Sequence, residues 1–211
     1  MMKTNGLIRA LAADHPSRSA SLERTLCIAT ACALALAAVL FATVLGPRAD
    51  IATAVTEPRF IFKFIVTLAL AVSAGALVLR LARPGARVPW LWLAAGPALL
   101  AASLVVELAV TPPASWPART IGTNARICLT MVPLLSIAPL AAALLTLRHG
   151  APTRPALAGA VAGLLAGGLA ATLYAAHCTD DSPLFVATWY TLAIALVALA
   201  GALIGWRVLR W

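Results

Sequence analysis

Residues 156–206 read "ALAGAVAGLLAGGLAATLYAAHCTDDSPLFVATWYTLAIALVALAGALIGW". The only charged residues in that stretch are Asp180 and Asp181, side by side near its middle. An apolar run of about 20 residues, enough to cross a bilayer as an α-helix, lies on each side of "HCTDD". The stretch therefore reads as two spanning helices joined by a tight turn. It also poses a question, because the turn gathers a histidine, a thiol and two carboxylates. Those residues are either the protein's chemistry or the cap of a hairpin.

The rest of the chain has the same character. Its 211 residues are 62% hydrophobic and 11% charged, with a mean hydropathy of +0.95. A soluble domain has about 25% charged and about 45–50% apolar residues. The 14 prolines and 13 glycines follow no period, which excludes a collagen-like chain. The net charge of +9 could suggest a nucleic-acid partner. The basic residues, however, sit in short groups between apolar blocks, the arrangement that encodes membrane topology, so no direct nucleic-acid binding is expected.

Six blocks are long enough to span, at about residues 25–45, 60–79, 90–110, 127–147, 156–177 and 185–206. The segments between them, such as "GPRADIATAVTEPR", "RLARPGARVP" and "RHGAPTRP", carry the Pro, Gly and charge that stop helices. The expected fold class is all-α: a polytopic membrane protein with six transmembrane helices, N-in and C-in. Two parts are expected, a cytoplasmic segment 1–24 and a transmembrane domain 25–211. The first 24 residues have no apolar core of signal-peptide length and read as a small cytoplasmic head.

Lys and Arg set the orientation. With the N-terminus inside, the inner segments hold Lys3, Arg9, Arg18, Arg24, Arg80, Arg83, Arg87, Arg148, Arg154, Arg207 and Arg210. The outer segments hold Arg48, Arg59, Lys63, Arg119 and Arg126. Both termini should then be cytoplasmic, and "HCTDD" lies at the outer face. Trp90, Trp92, Trp116, Trp206 and Trp211 fall near the expected interfaces, where amphipathic rings settle.

The four cysteines sort by depth. Cys27 and Cys32 lie among Ala, Leu and Ile in the first span and read as small packing residues. Cys128 opens the fourth span and Cys178 ends the fifth, so topology puts both at the outer surface. A short connection makes those two spans neighbours, and the sulfurs could approach each other. Disulfide formation, thiolate–metal ligation and structural stapling all remain open for Cys128 and Cys178. His177, Asp180 and Asp181 would be auxiliary ligands for a divalent metal. The plainer reading is that these three solvate a tight turn, with Pro183 opening the sixth helix.

Two charges fall inside spans, Lys63 near the outer end of the second and Glu107 near the outer end of the third. Antiparallel neighbours put them at one depth, so an ion pair between them is the expectation; snorkelling of Lys63 is the alternative. No ionisable residue stands mid-span, which argues against a proton-coupled transporter. Gly159, Gly163 and Gly167 recur every four residues and line one face, suited to internal packing or a dimer contact. Pro133 and Pro139 lie inside the fourth span and should kink it. In the head, Leu7, Ile8 and Leu11 share a helical face, with Arg9 off it. So short a helix cannot bury that stripe alone, and it would lie on the membrane or dock on a partner protein.

Several of these segments together resemble one family. "MKTNGLIRALAAD", "GPRADI…TEPRFIFKF", "LRLARPG", "NARICLTMVPLL", "GAPTRPALAGA" and "HCTDDSPLFVATWY" are similar to the NrsF-type membrane anti-sigma factors of proteobacteria, over essentially the whole chain. The linker "HPSRSASLER" is less rich in Arg and Pro than the family pattern. The resemblance implies a six-span inner-membrane protein that is not an enzyme. Its cytoplasmic N-terminal segment would hold an extracytoplasmic-function sigma factor inactive, with Leu7, Ile8, Arg9 and Leu11 as contact residues. Release would follow stress such as heavy metals or oxidants, sensed by two periplasm-facing cysteines whose motif positions are Cys128 and Cys178. Cys27 and Cys32 are outside the pattern. No obligatory cofactor is implied, only a transient divalent or heavy metal ion as a signal. A small membrane transporter would need a midplane polar site. A thiol-redox membrane protein would want a CxxC motif or ligating histidines, and the histidines are only His15, His149 and His177.

Overall fold

The structure, a computed structural model, describes residues 21–210 and Gly6. The sigma-contact residues expected at Leu7, Ile8, Arg9 and Leu11 lie outside the described residues. Among the described residues every regular element is helical. In hydrocarbon the backbone must bond to itself, and a single chain segment achieves that only as a helix. Six long helices result: α1 Leu22–Val44, α2 Pro58–Leu81, α3 Trp90–Val110, α4 Ala125–Arg148, α5 Pro155–Ala175 and α6 Pro183–Val208.

The helix starts are written in the sequence. Pro58, Pro155 and Pro183 each open a helix, where a missing N–H has no partner to lose. Ser21 caps α1 by accepting from the Arg24 N–H at 3.2 Å. α4 continues as one helix through Pro133 and Pro139. α3 begins with a 3₁₀ turn, Trp90–Ala94. α6 is irregular near its start: Pro183–Phe185 leads into a π-helical turn, Val186–Tyr190, before regular α-helix from Thr191.

α5 is the hub. It packs on α6, α2 and α4, while α1 rests on α4 and α3 rests on α2. α5 is the most buried of the six, and its many Ala and Gly residues let its neighbours approach closely. Two core clusters stack along the bundle. One holds Leu26, Leu77, Leu147, Ala158 and Leu209, at the end where the described chain both starts and finishes. The other holds Phe41, Cys128, Val132, Tyr174, Cys178 and Phe185, at the opposite end. The helices therefore alternate in direction.

Glycine sets the spacing of α5 and α6. A Cβ on Gly159 would collide with the Gly201 carbonyl oxygen, and one on Gly163 would stand 2.6 Å from the Ala198 Cα. At Gly167 it would meet Ile194 Cγ2 at 3.2 Å. The face of Gly159, Gly163 and Gly167 is thus turned inward against α6, where Gly201 and Gly205 complete the contact. Cys27 and Cys32, expected as packing residues, are instead exposed on the outer surface of α1. α1 buries only a narrow stripe, including Leu26, Ala33, Ala37 and Phe41, and the two cysteines lie off it.

Overpacking of a tight core contact costs about 1–3 kcal/mol. Gly159→Val and Gly163→Val should each destabilise the protein by about 3 kcal/mol or more in detergent-micelle denaturation. Gly75→Ala, whose new methyl would meet Leu165 Cδ1 at 3.6 Å, should change stability by less than about 0.5 kcal/mol.

Candidate functional site: the thiol end of the bundle

Cys128 sits in the first turn of α4, and its N–H donates to the Asn124 carbonyl at 2.8 Å. Cys178 follows the end of α5, with its N–H on the Tyr174 carbonyl at 3.0 Å. Both are fully buried and both belong to the same core cluster. Both are free thiols. The walls around them are aromatic: the Tyr174 and Tyr190 rings lie 5.7 Å apart, and Phe185 meets Tyr190 edge-on at 6.2 Å. The Tyr174 hydroxyl donates to the Asn124 carbonyl at 3.3 Å, which ties α5 to the start of α4.

A cationic clamp holds the Cys178 backbone. Lys63 of α2, 1% exposed, donates from Nζ to the Cys178 carbonyl at 2.8 Å. Arg48, from the α1–α2 connection, donates to the same carbonyl at 3.4 Å and to Asp181 Oδ2 at 2.8 Å. Lys63 Nζ lies 2.5 Å from Asp181 Oδ1, an ion pair by distance whose angle departs from a hydrogen-bond direction. Both cations also lie over the Phe60 ring, at 5.6 Å for Arg48 and 5.2 Å for Lys63. The second carboxylate partner of Arg48 is Asp50, at 2.7 Å. That bond holds the exposed Asp50 carboxyl below its ordinary range and, with Asp181, holds the Arg48 guanidinium above its own.

The remaining donors of the turn are committed as well. Asp180 Oδ2 accepts from the Thr123 N–H at 2.9 Å, the Asn124 N–H at 2.8 Å and the Asn124 side-chain amide at 2.9 Å. These bonds fasten the α5–α6 turn to the residues that open α4, just ahead of Cys128. His177 Nδ1 donates to the Gly46 carbonyl at 2.9 Å, since a carbonyl can only accept. Among the described residues no three His, Cys, Asp or Glu side chains converge as a metal-binding group. His177, Asp180 and Asp181 each hold the turn in place.

The expected Lys63–Glu107 pair does not form. Glu107, 2% exposed, pairs with Arg59 at 2.7 Å and Arg119 at 3.1 Å, and accepts from the Ser182 hydroxyl at 3.3 Å. Arg59 stands one turn before Lys63 on α2, so the two cations divide the two acids between them. Depth alone gave the right layer and the wrong partner. Sequence reading also passed over Arg48, counted only as a topological charge, and Tyr174 and Tyr190, which looked like ordinary span residues. The acids at this end of the bundle, Asp50, Glu107, Asp180 and Asp181, were the signal: acids at that depth require cations beside them.

Burial pushes the Cys178 thiol up, and the nearby Lys63 charge works against that rise. A buried thiol held neutral is slow toward oxidants and soft metals until something opens the site.

Comparison with known proteins agrees with the resemblance seen in the sequence. The family model described as negative regulator of sigma F matches residues 11–211. A probable anti-sigma-F factor of Azospira oryzae is 35% identical over 213 residues, with all of both chains covered. An anti-sigma-F factor of Caulobacter vibrioides is 35% identical over 215 residues, again with full coverage of both. No solved structure matches.

Lys63→Ala should destabilise the protein by about 3 kcal/mol or more, because it removes the closer of the two donors on the Cys178 carbonyl and leaves Asp181 one cation short. Arg59→Ala, at a 43% exposed side chain, should cost about 1 kcal/mol or less. Denaturation of both variants in micelles checks the contrast. The raised thiol predicts a pH dependence too. Below about pH 8.5, the ordinary thiol value, both folded and unfolded chains keep the Cys178 proton. Above it the unfolded chain loses the proton first, so stability falls as pH rises. Cys178→Ala should flatten that fall in unfolding measured from neutral to alkaline pH.

Proposed function

The chain belongs to the family of negative regulators of sigma F, and from that premise we propose that it is a membrane anti-sigma factor governed by its two buried thiols. Residues 1–24 sequester an extracytoplasmic-function sigma factor in the cytoplasm, through Leu7, Ile8, Leu11 and the flanking Arg9. The six helices sit in the inner membrane with both termini cytoplasmic, as the Lys and Arg distribution favours. Cys128 and Cys178 then face the periplasm and report oxidant or heavy-metal stress.

The observation that carries this reading is the shared cluster of Cys128 and Cys178, at the end of the bundle opposite the start of α1. Two neighbouring thiols can form one disulfide, releasing two protons and passing two electrons to an oxidant such as chromate or a peroxide. Two sulfur donors also suit a soft cation, each thiol losing its proton on ligation. Either event joins the first turn of α4 to the α5–α6 turn more tightly than the Asp180 bonds do. The join bears on the clamp of Lys63 and Arg48, and so on α2 and the α1–α2 connection. α4 and α5 carry the change to the other membrane face, where the sigma-binding segment enters α1. Release requires that the altered thiols favour a bundle arrangement that holds the sigma factor less well.

Wild-type protein should co-purify a sigma factor from detergent-solubilised membranes, and Leu7→Asp/Leu11→Asp should retain about tenfold less, a loss of about 1.4 kcal/mol. Absence of any sigma factor on the wild type would sink the proposal. Under cadmium or dichromate, Cys128→Ser and Cys178→Ser strains should fail to induce the sigma factor's regulon. Undiminished induction in both would remove the thiols from the mechanism.

A further inference from the structure

The two ends of the bundle treat their cations differently. At the thiol end Arg48, Arg59, Lys63 and Arg119 each meet a carboxylate, and Arg126 forms no salt bridge among the described residues. At the opposite end Arg80, Arg83 and Arg154 line one cleft of about 290 Å³, and no carboxylate among the described residues forms a salt bridge with them. A cluster of cations with no counter-ion among the described residues suits an anion supplied from outside.

The cleft is built rather than incidental. Arg80 ends α2, and Arg83 follows in the α2–α3 connection. Arg154 stands immediately before α5. The two connections are locked together: the Ala151 N–H donates to the Ala82 carbonyl at 2.9 Å. Gly150 packs so closely there that a Cβ would fall 2.6 Å from the Ala82 oxygen. Gly85 turns the chain with φ +71°, a left-handed angle that favours glycine. Arginines from the end of α2 and from two separate connections are thus held around one space. Val88, Trp90 and Leu157 supply an apolar wall. Trp90 opens α3 at the level where tryptophan settles in the headgroup layer. The start of α5, with its unbonded N–H groups, opens on the same cleft.

We propose that this cleft binds the phosphate of an anionic phospholipid headgroup. Guanidinium forks hold phosphate oxygens in pairs, the apolar wall takes the glycerol and upper acyl carbons, and the position at the membrane face selects a lipid over a soluble anion. The site lies at the end of the bundle opposite the thiol pair.

The full-length protein is placed in lipid discs of phosphatidylcholine with or without phosphatidylglycerol. Native mass spectrometry reads the retained lipid, and thermal unfolding reads the stability. Wild type should enrich phosphatidylglycerol about tenfold over phosphatidylcholine, equivalent to about 1.4 kcal/mol, and unfold at a higher temperature when it is present. Arg80→Gln/Arg83→Gln/Arg154→Gln should lose both effects. Thr153→Trp, which fills the cleft without altering charge, should lose them too, and it serves if the triple variant does not fold. Arg207→Gln/Arg210→Gln, at the same face but outside the cleft, should keep them. Equal loss in that pair would mean diffuse surface charge and overturn the site. Equal stabilisation by inorganic phosphate in pure phosphatidylcholine discs would make the ligand a soluble phosphate and overturn the lipid assignment.

Discussion

The seam of α5 on α6 is the closest contact in the bundle, and the small residues of α5 make it possible. Its glycines bring the α6 backbone close enough for Gly159 and Gly201 to touch main chain to main chain. Lipid offers no hydrophobic drive between helices, so close packing of this kind supplies the attraction. Everything else hangs on α5. α2 and α4 lie against its other sides, α1 and α3 lie against those, and the thiol-bearing turn is the continuation of its C-terminal end.

The thiol end is built from charges that would be intolerable singly. Lys63 is nearly inaccessible and stands within a span, yet a carbonyl, a carboxylate and an aromatic face surround it. Asp181 is shared by two cations. Such a knot is strong evidence for a defined arrangement and weak evidence for stability, since desolvation offsets much of the attraction. It fixes the Cys178 backbone while leaving its sulfur among aromatic rings, unbonded to another sulfur or to a charge.

Much of this was legible in the sequence, and the remainder was lost for one reason. Apolar runs of span length gave six helices, and the structure moved most boundaries by only a few residues, to Pro58, Pro155 and Pro183, whose preference for helix starts marks them. Spacing gave the glycine face, and topology put Cys128 and Cys178 at one depth. Depth, however, does not give azimuth. It could not say that Lys63 turns toward Asp181 while Arg59 takes Glu107, nor that Cys27 and Cys32 lie off the buried stripe of α1. For the donors His177, Asp180 and Asp181, sequence shows proximity along the chain. It does not show which backbone groups the side chains are already holding.

The π-turn at Val186–Tyr190 gives the start of α6 a further property. Such a turn contains one residue more than the α-helical path requires. That surplus is stored length. If it migrates along the helix, the segment ahead of it swivels by about 100°, the rotation of one residue, while the glycine contacts farther on stay in register. Tyr190 closes that turn and packs beside the thiols. The sixth helix thus carries its surplus residue between the thiol end of the bundle and its tightest seam.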